Sequence, residues 1–307
     1  MEYGQVRMAD GSHRQVARLI LGTAGFGGVM DKDLSFRLMD QYANAGGNAL
    51  DTARVYGGWH PGGVGASERI VGEWIRSRGM EKEIFLITKG AHPAPEAMDI
   101  PRLSPADILG DFECSLEDLG TEKIDLYFLH RDDISLPVSG IMDALDSLVQ
   151  GGRALAIGAS NWRAKRIEAA NQYALEAGKA PFTATQIQWS YADYSPACPD
   201  PTLVLMDDAE RAAYEKMPEI SVMAFTSQAE GIFAKGYLPD LSDAAPRHRK
   251  YVTEENIRRY RELLRLCEKR GISPVQVALD YITRHPSLPG FALIGASSPA
   301  QLAQALE

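Results

Sequence analysis

The sequence predicts an α/β protein folded as a single closed (β/α)8 barrel, a TIM barrel occupying residues 1–307. Three observations carry the prediction. Eight short β-rich runs occur along the chain, and longer segments with apolar residues at helical spacing alternate with them. Several of the runs also lack polar alternation, as parallel strands buried on both faces do. An open doubly wound sheet would use fewer strands and would carry GxGxxG after its first one. Gly22, Gly25, Gly27 and Gly28 are spaced differently.

The strand runs are 17–23, 48–52, 84–89, 124–130, 155–160, 184–188, 220–226 and 291–295. Helices are expected from their boundary signals. Asp31 or Asp33 opens one that ends before Gly46, and Ser67 with Glu68 opens a second that stops near Gly79. Ser104, Pro105 and Asp107 supply cap, first-turn proline and first-turn acid for a third, ending near Gly120. Segments 136–149, 163–176 and 253–269 follow, then a helix opened by Ser273 and Pro274, and a short final one from about Ser298. Two stretches, 56–66 and 229–251, read as long loops after strands, the side on which a barrel carries its active site.

Composition narrows the function. With 45% hydrophobic and 24% charged residues the chain has apolar surface enough for a sizeable core. A net charge of −9 argues against nucleic-acid or anionic-membrane partners. Cys114, Cys198 and Cys267 show no CxxC spacing, and the N-terminus lacks the order of a signal peptide, so a soluble, cytoplasmic protein is expected. His13, His92, His248 and His285 form no HxH or HExxH pair, and no metal site is expected.

Three strand candidates end abruptly in a titratable side chain. Asp51 closes the second, Lys89 the third and His130 the fourth, with Tyr56 five positions beyond Asp51. In a parallel barrel these ends converge on one rim. A phenol titrates near pH 10, and an adjacent ammonium is expected to lower that value so that Tyr56 can protonate a developing alkoxide. A carboxylate would hold the lysine, and the imidazole would polarise the same oxygen. None of the four is a hydride source, so a redox role demands a cofactor.

The motifs DTARVYG, ITKG and LHRDD, with this spacing of Asp51, Tyr56, Lys89 and His130, resemble the conserved blocks and catalytic tetrad of the aldo-keto reductase family. The resemblance continues through GASNW, TQIQWS, AFTSQAEGIF and LIGASSPAQL, from Leu21 to Gln301. It implies that Ser160, Asn161 and Gln186 hold a nicotinamide carboxamide. It implies further that Phe225 stacks on the ring, that Thr226, Ser227, Gln228 and Gly231 wrap a pyrophosphate, and that Gly295, Ser297 and Gln301 meet the adenosine end. Gly22 and Thr23 complete the expected cofactor contacts, and Trp59, His60 and Trp162 are candidate substrate contacts. The implied activity is reduction of an aldehyde or ketone or the reverse oxidation, and aromatic and imidazole groups such as Trp59 and His60 at the mouth suit polyols or sugar-like carbonyls.

The sequence also departs from the family's pattern. Members that prefer NADPH commonly carry Arg or Lys in the last motif, where this chain has Gly295, Ser297, Ser298 and Gln301, and Glu230 stands in the strand-seven loop. NADP is the first expectation and NAD the second. Ala305 stands near a usual Asn or Glu, and the closing helix is expected to be shortened. An alternative from the same resemblance is a cofactor-binding redox sensor like the potassium-channel β subunits; another is a lyase or epimerase that keeps its cofactor through the cycle. Oligomeric state stays open.

Overall fold

The computed structural model describes residues 1–61, 63–195, 198 and 200–307. Eight parallel strands close into a barrel: β3 (Leu19–Gly22), β4 (Ala49–Asp51), β5 (Phe85–Gly90), β6 (Leu126–Leu129), β7 (Ile157–Ser160), β8 (Ala184–Gln188), β9 (Ser221–Phe225) and β10 (Phe291–Ile294). Pairing of Ile20 with Leu293 closes the ring. Ile20, Phe85, Ile87, Phe128 and Met223 pack together inside the barrel, while neighbours such as Leu21, Leu50, Leu86 and Leu129 pack in the layer under the helices.

The first strand begins later than the sequence suggests. Ala17 ends an antiparallel hairpin, β1 (Tyr3–Arg7) with β2 (His13–Ala17), that sequence reading did not identify. Val6, Met8 and Val16 turn inward from it and join the barrel's inner cluster, and Ala9 N–H bonds the Leu155 carbonyl just before β7. The hairpin therefore plugs the end opposite the strand C-termini.

Most helices begin at their signals. Asp31 caps α1 (Lys32–Asn44), Ser104 and Asp107 form a capping box on α3 (Pro105–Leu119), and Ser273 with Gln276 forms another on α8 (Pro274–Thr283). Ser67 is a correction. The second helix, α2 (Ala66–Arg78), starts after Gly65, whose φ of 78° lies in the left-handed region, and Ser67 sits inside the first turn. Its hydroxyl is buried instead between Thr23 Oγ1 at 2.7 Å and Thr52 Oγ1 at 2.9 Å, tying α2 to the ends of β3 and β4.

After β6 come α4 (Val138–Gln150) and, beyond β7, α5 (Ala164–Glu176). Between β8 and β9 lies α6 (Asp208–Tyr214), too short for a periodic signal and not foreseen, although Asp207 caps it through Glu210 N–H at 2.8 Å. Strict alternation also breaks after β9, where two 3-10 turns (Ala229–Ala234 and Pro246–Tyr251) and α7 (Glu254–Arg270) precede α8. This long excursion has its own core of Ile232, Phe233, Leu241, Tyr251, Tyr260 and Leu263. In the loop after β4, Gly62 lies outside the described residues. The final helix, α9 (Pro299–Leu306), buries Leu302 and Ala305 in the main core. No helix among the described residues is long and apolar enough to cross a membrane.

Candidate active site

Asp51 is the last residue of β4, Lys89 the penultimate residue of β5, and His130 the first residue after β6. Parallel register brings all three to one rim, where a cavity of about 270 Å³ opens. Tyr56 reaches the same cavity from the turn after β4. That turn needs Gly57: its φ is 94°, and a Cβ there would lie 2.5 Å from the Gly63 carbonyl oxygen.

Lys89 is buried, and all three of its ammonium donors are used. Nζ donates to Asp51 Oδ2 at 2.6 Å, to the Thr52 carbonyl at 2.7 Å and to Tyr56 Oη at 3.2 Å. Gln186, from β8, donates to the other Asp51 oxygen at 2.5 Å. Burial works against the Lys89 charge, but the Asp51 carboxylate and the Tyr56 phenol outweigh it and keep the pKa above the ordinary lysine value. Burial likewise raises the Asp51 carboxyl, with Lys89 and then Gln186 pulling it back.

One expectation about Tyr56 is corrected. Burial raises the phenol above its ordinary pKa, and the opposing pull of Lys89 is smaller. The lysine therefore limits the rise instead of producing a net fall, and Tyr56 stays protonated at neutral pH.

His130 packs edge-on against Tyr56 at 5.8 Å between ring centroids and against His92 at 4.6 Å. Burial, reinforced by His92, Arg131 and Lys89, pushes its pKa well below the ordinary value, so the ring is neutral. Its Nδ1 is buried without a partner. An orphaned acceptor is easier to tolerate than an orphaned N–H, which assigns the proton to Nε2 as a neutral hydrogen-bond donor.

The other half of the rim comes from β7 to β10 and from β3, which closes the ring against β10. Ser160, Asn161, Gln186, Phe225, Thr226, Gly22 and Gly295 all line the cavity. A dinucleotide fits what stands there. Thr226, Ala229, Glu230 and Gly231 all have φ between 45° and 79°, a turned backbone partly closed on itself, with Ala229 N–H donating to the Thr226 carbonyl and Gly231 N–H to the Gln228 carbonyl, both at 2.8 Å. Gln228 Nε2 is buried without a partner, and a side chain at Gly295 would meet nothing within 4 Å. Ser297 and Gln301 are exposed at the start of α9, where Ser297 N–H and Oγ both bond Gln301 Oε1 at 2.9 Å.

Three expected contacts stand behind the wall. Thr23 is fully buried on Ser67, Ser227 donates to the Leu293 carbonyl at 2.6 Å, and the Trp162 ring is enclosed between Phe182 and Arg166. Trp59 is 51% exposed and packs edge-on against His92, and the exposed His60 lies over Gly28. A larger groove of about 890 Å³ between Trp189, Arg211 and Tyr281 shares only Leu203 with the cavity and contains none of the tetrad. Among the described residues no cluster of His, Cys, Asp and Glu could hold a metal.

The model of the aldo/keto reductase family matches residues 18–307. The chain belongs to that family. This aldo/keto reductase is 30% identical over 315 residues to a norsolorinic acid reductase of Emericella nidulans, covering 94% of this chain and 73% of the relative. It is 32% identical over 201 residues to an NADP(+) aryl-alcohol dehydrogenase of Phanerodontia chrysosporium, covering 60% of this chain and about half, 51%, of that protein. An uncharacterised oxidoreductase of Bacillus subtilis is 27% identical, covering 94% and 86% of the two chains. The reductase is thus an oxidoreductase of the carbonyl–alcohol class. Sequence reading missed two groups at its site. His92 follows Lys89 by three residues in a stretch that reads as loop, and Arg131 stands inside LHRDD without a role.

Proposed function

We propose that this chain reduces an aldehyde or ketone to the alcohol, or runs the reverse oxidation, with a nicotinamide dinucleotide as co-substrate and Tyr56 as proton donor. The cofactor, when bound, supplies the hydride. What carries the reading is the Tyr56 hydroxyl at 3.2 Å from Lys89 Nζ, itself clamped on Asp51, at the wall of a cavity that the neutral His130 shares. The Lys89 charge stabilises the phenolate left after proton donation, and Asp51 keeps Lys89 charged and in place. His130 Nε2–H donates to the carbonyl oxygen and orients it. Ser160, Asn161 and Gln186 would hold the carboxamide, Phe225 would stack on the ring, and Thr226, Gln228, Gly231, Gly295, Ser297 and Gln301 would follow the rest of the dinucleotide.

NADP is the first choice, in keeping with the NADP(+) aryl-alcohol dehydrogenase of Phanerodontia chrysosporium. NAD is the second, because no Lys or Arg stands in 295–301 and Glu230 is held by Lys250 at 2.6 Å. The half-exposed Trp59, packed on the His92 ring that contacts His130, together with relatives named for aryl alcohols and norsolorinic acid, supports an aromatic carbonyl as substrate. The test is to titrate NADPH and NADH by fluorescence and then follow oxidation of the tighter binder with benzaldehydes and aldoses. Aldehyde-dependent turnover is expected; binding without turnover on any carbonyl would refute the reading.

A further inference from the structure

Arg131 follows His130 at the exit of β6, and its side chain lines the cavity with only 13% exposed. Its donors are poorly used. Nη1 reaches the His130 carbonyl at 3.1 Å, Nη2 reaches Asp200 Oδ2 at 3.4 Å, and Nε is buried with no partner. A guanidinium presents a planar fork that a carboxylate can grip through two parallel bonds, and nothing grips it that way here.

Asp200 is the one carboxylate in ion-pair contact with Arg131 among the described residues. Its other oxygen is committed to its own turn, accepting from Thr202 N–H at 2.8 Å and Thr202 Oγ1 at 2.6 Å. One long contact is what remains for the arginine. The second ion pair of the cavity, Lys89 with Asp51, is closed on itself at 2.6 Å. Tyr56 and His130 are both neutral, so the cavity wall carries an enclosed cation whose counter-charge is slack. Such a group is costly unless an anion completes it.

We propose that Arg131 is a carboxylate-binding subsite, and that the substrate carries a carboxylate in addition to its carbonyl. The substrate carboxylate takes the Arg131 fork in place of the loose Asp200 contact, and the two-bond grip fixes which way the carbonyl faces between Tyr56 and His130. This rests on the reductase reading above and adds the charge of the substrate to it.

The experiment compares 3- and 4-carboxybenzaldehyde with the matching neutral formylbenzamides, measuring kcat/KM in the full chain with its preferred nicotinamide cofactor. Wild type should favour at least one of the acids by about tenfold or more, the size of a single charge-assisted hydrogen bond. Arg131→Gln should abolish that preference, and Asp200→Asn, which removes the competing carboxylate, should increase it. No preference in wild type, a preference that survives Arg131→Gln, or a loss in Asp200→Asn equal to that in Arg131→Gln would overturn the proposal. The last outcome would make the pair a structural tie. Calorimetric titration of the same three proteins with benzoate and benzamide separates this claim from the reductase reading. If no aldehyde is turned over, benzoate binding that exceeds benzamide binding and depends on Arg131 still upholds the subsite, and equal binding of the two overturns it.

Discussion

The two halves of the cavity rim are built differently. On the side of β4 to β6, Lys89, Asp51 and Tyr56 form one hydrogen-bonded set, closed by the Gln186 amide reaching across from β8, with Asp51 and Lys89 almost wholly buried. On the side of β9 and β10 the backbone is turned into left-handed conformations, Gln228 Nε2 has no partner, and Ser297 and Gln301 are exposed and bonded to each other. One half is preorganised before anything binds; the other offers an unpartnered amide and exposed side chains to a ligand. Fixed charges at the first are what a reaction that moves a proton needs, because reorganising them during the reaction would add to the barrier. The second half has only to bind.

If that contrast holds, single substitutions should act far more strongly on the first half. Lys89→Met should lower kcat by about two to four orders of magnitude, the range for losing general acid–base function. It should also cost about 3–5 kcal/mol of stability in urea unfolding, because Asp51 is left buried and unpaired. A stable, active Lys89→Met protein would dissolve the contrast.

His92, buried between the rings of His130 and Trp59, has its signature in stability. Burial, with Arg131 nearby, lowers its pKa to about 4. In the unfolded chain it would titrate near 6.5, so below that pH the unfolded state takes up a proton that the folded state refuses. Stability is therefore complete above about pH 6.5 and falls as the pH drops towards 4, by about 3 kcal/mol in all. Chemical denaturation of His92→Phe at pH 7 and pH 4 should show a loss smaller by about that amount than in wild type.

His130 sharpens the comparison through activity. Because its pKa is well below the ordinary histidine value and that of Tyr56 is above the ordinary phenol value, kcat/KM for reduction should be level from about pH 6.5 to 9. It should decline only where Tyr56 loses its proton. A limb near pH 6.5 that disappears in His130→Gln would mean that the imidazole is charged in the working site. At the small end, Gln301→Ala should weaken cofactor binding by no more than about tenfold, since one neutral hydrogen bond contributes roughly 0.5–1.5 kcal/mol at most. Fluorescence titration measures this directly.

The same contrast explains what could be read from the sequence. Asp51, Lys89 and His130 were legible because each ends an apolar strand, and parallel register then leaves them no other place to go. The capped helices were legible because Ser104 with Asp107 and Ser273 with Gln276 are local signals. Thr23, Ser227 and Trp162 are neighbours in sequence of cavity residues yet face away from the cavity, because side-chain direction at a strand exit depends on turns that neither period nor composition encodes. Ser67 looked like a cap and became a buried link between α2 and two strands. The β1–β2 hairpin was missed because its three inward residues only make sense against a barrel end already in place. The net direction of the Tyr56 pKa was beyond sequence too, for burial decided it.

The central claim is that Tyr56 gives the proton. Tyr56→Phe, saturated with cofactor and mixed rapidly with an aldehyde substrate, tests it in a single turnover read at the nicotinamide absorbance. A rate lower by about two orders of magnitude or more, with cofactor affinity within about twofold of wild type, is the predicted result. A single-turnover rate close to wild type would contradict it.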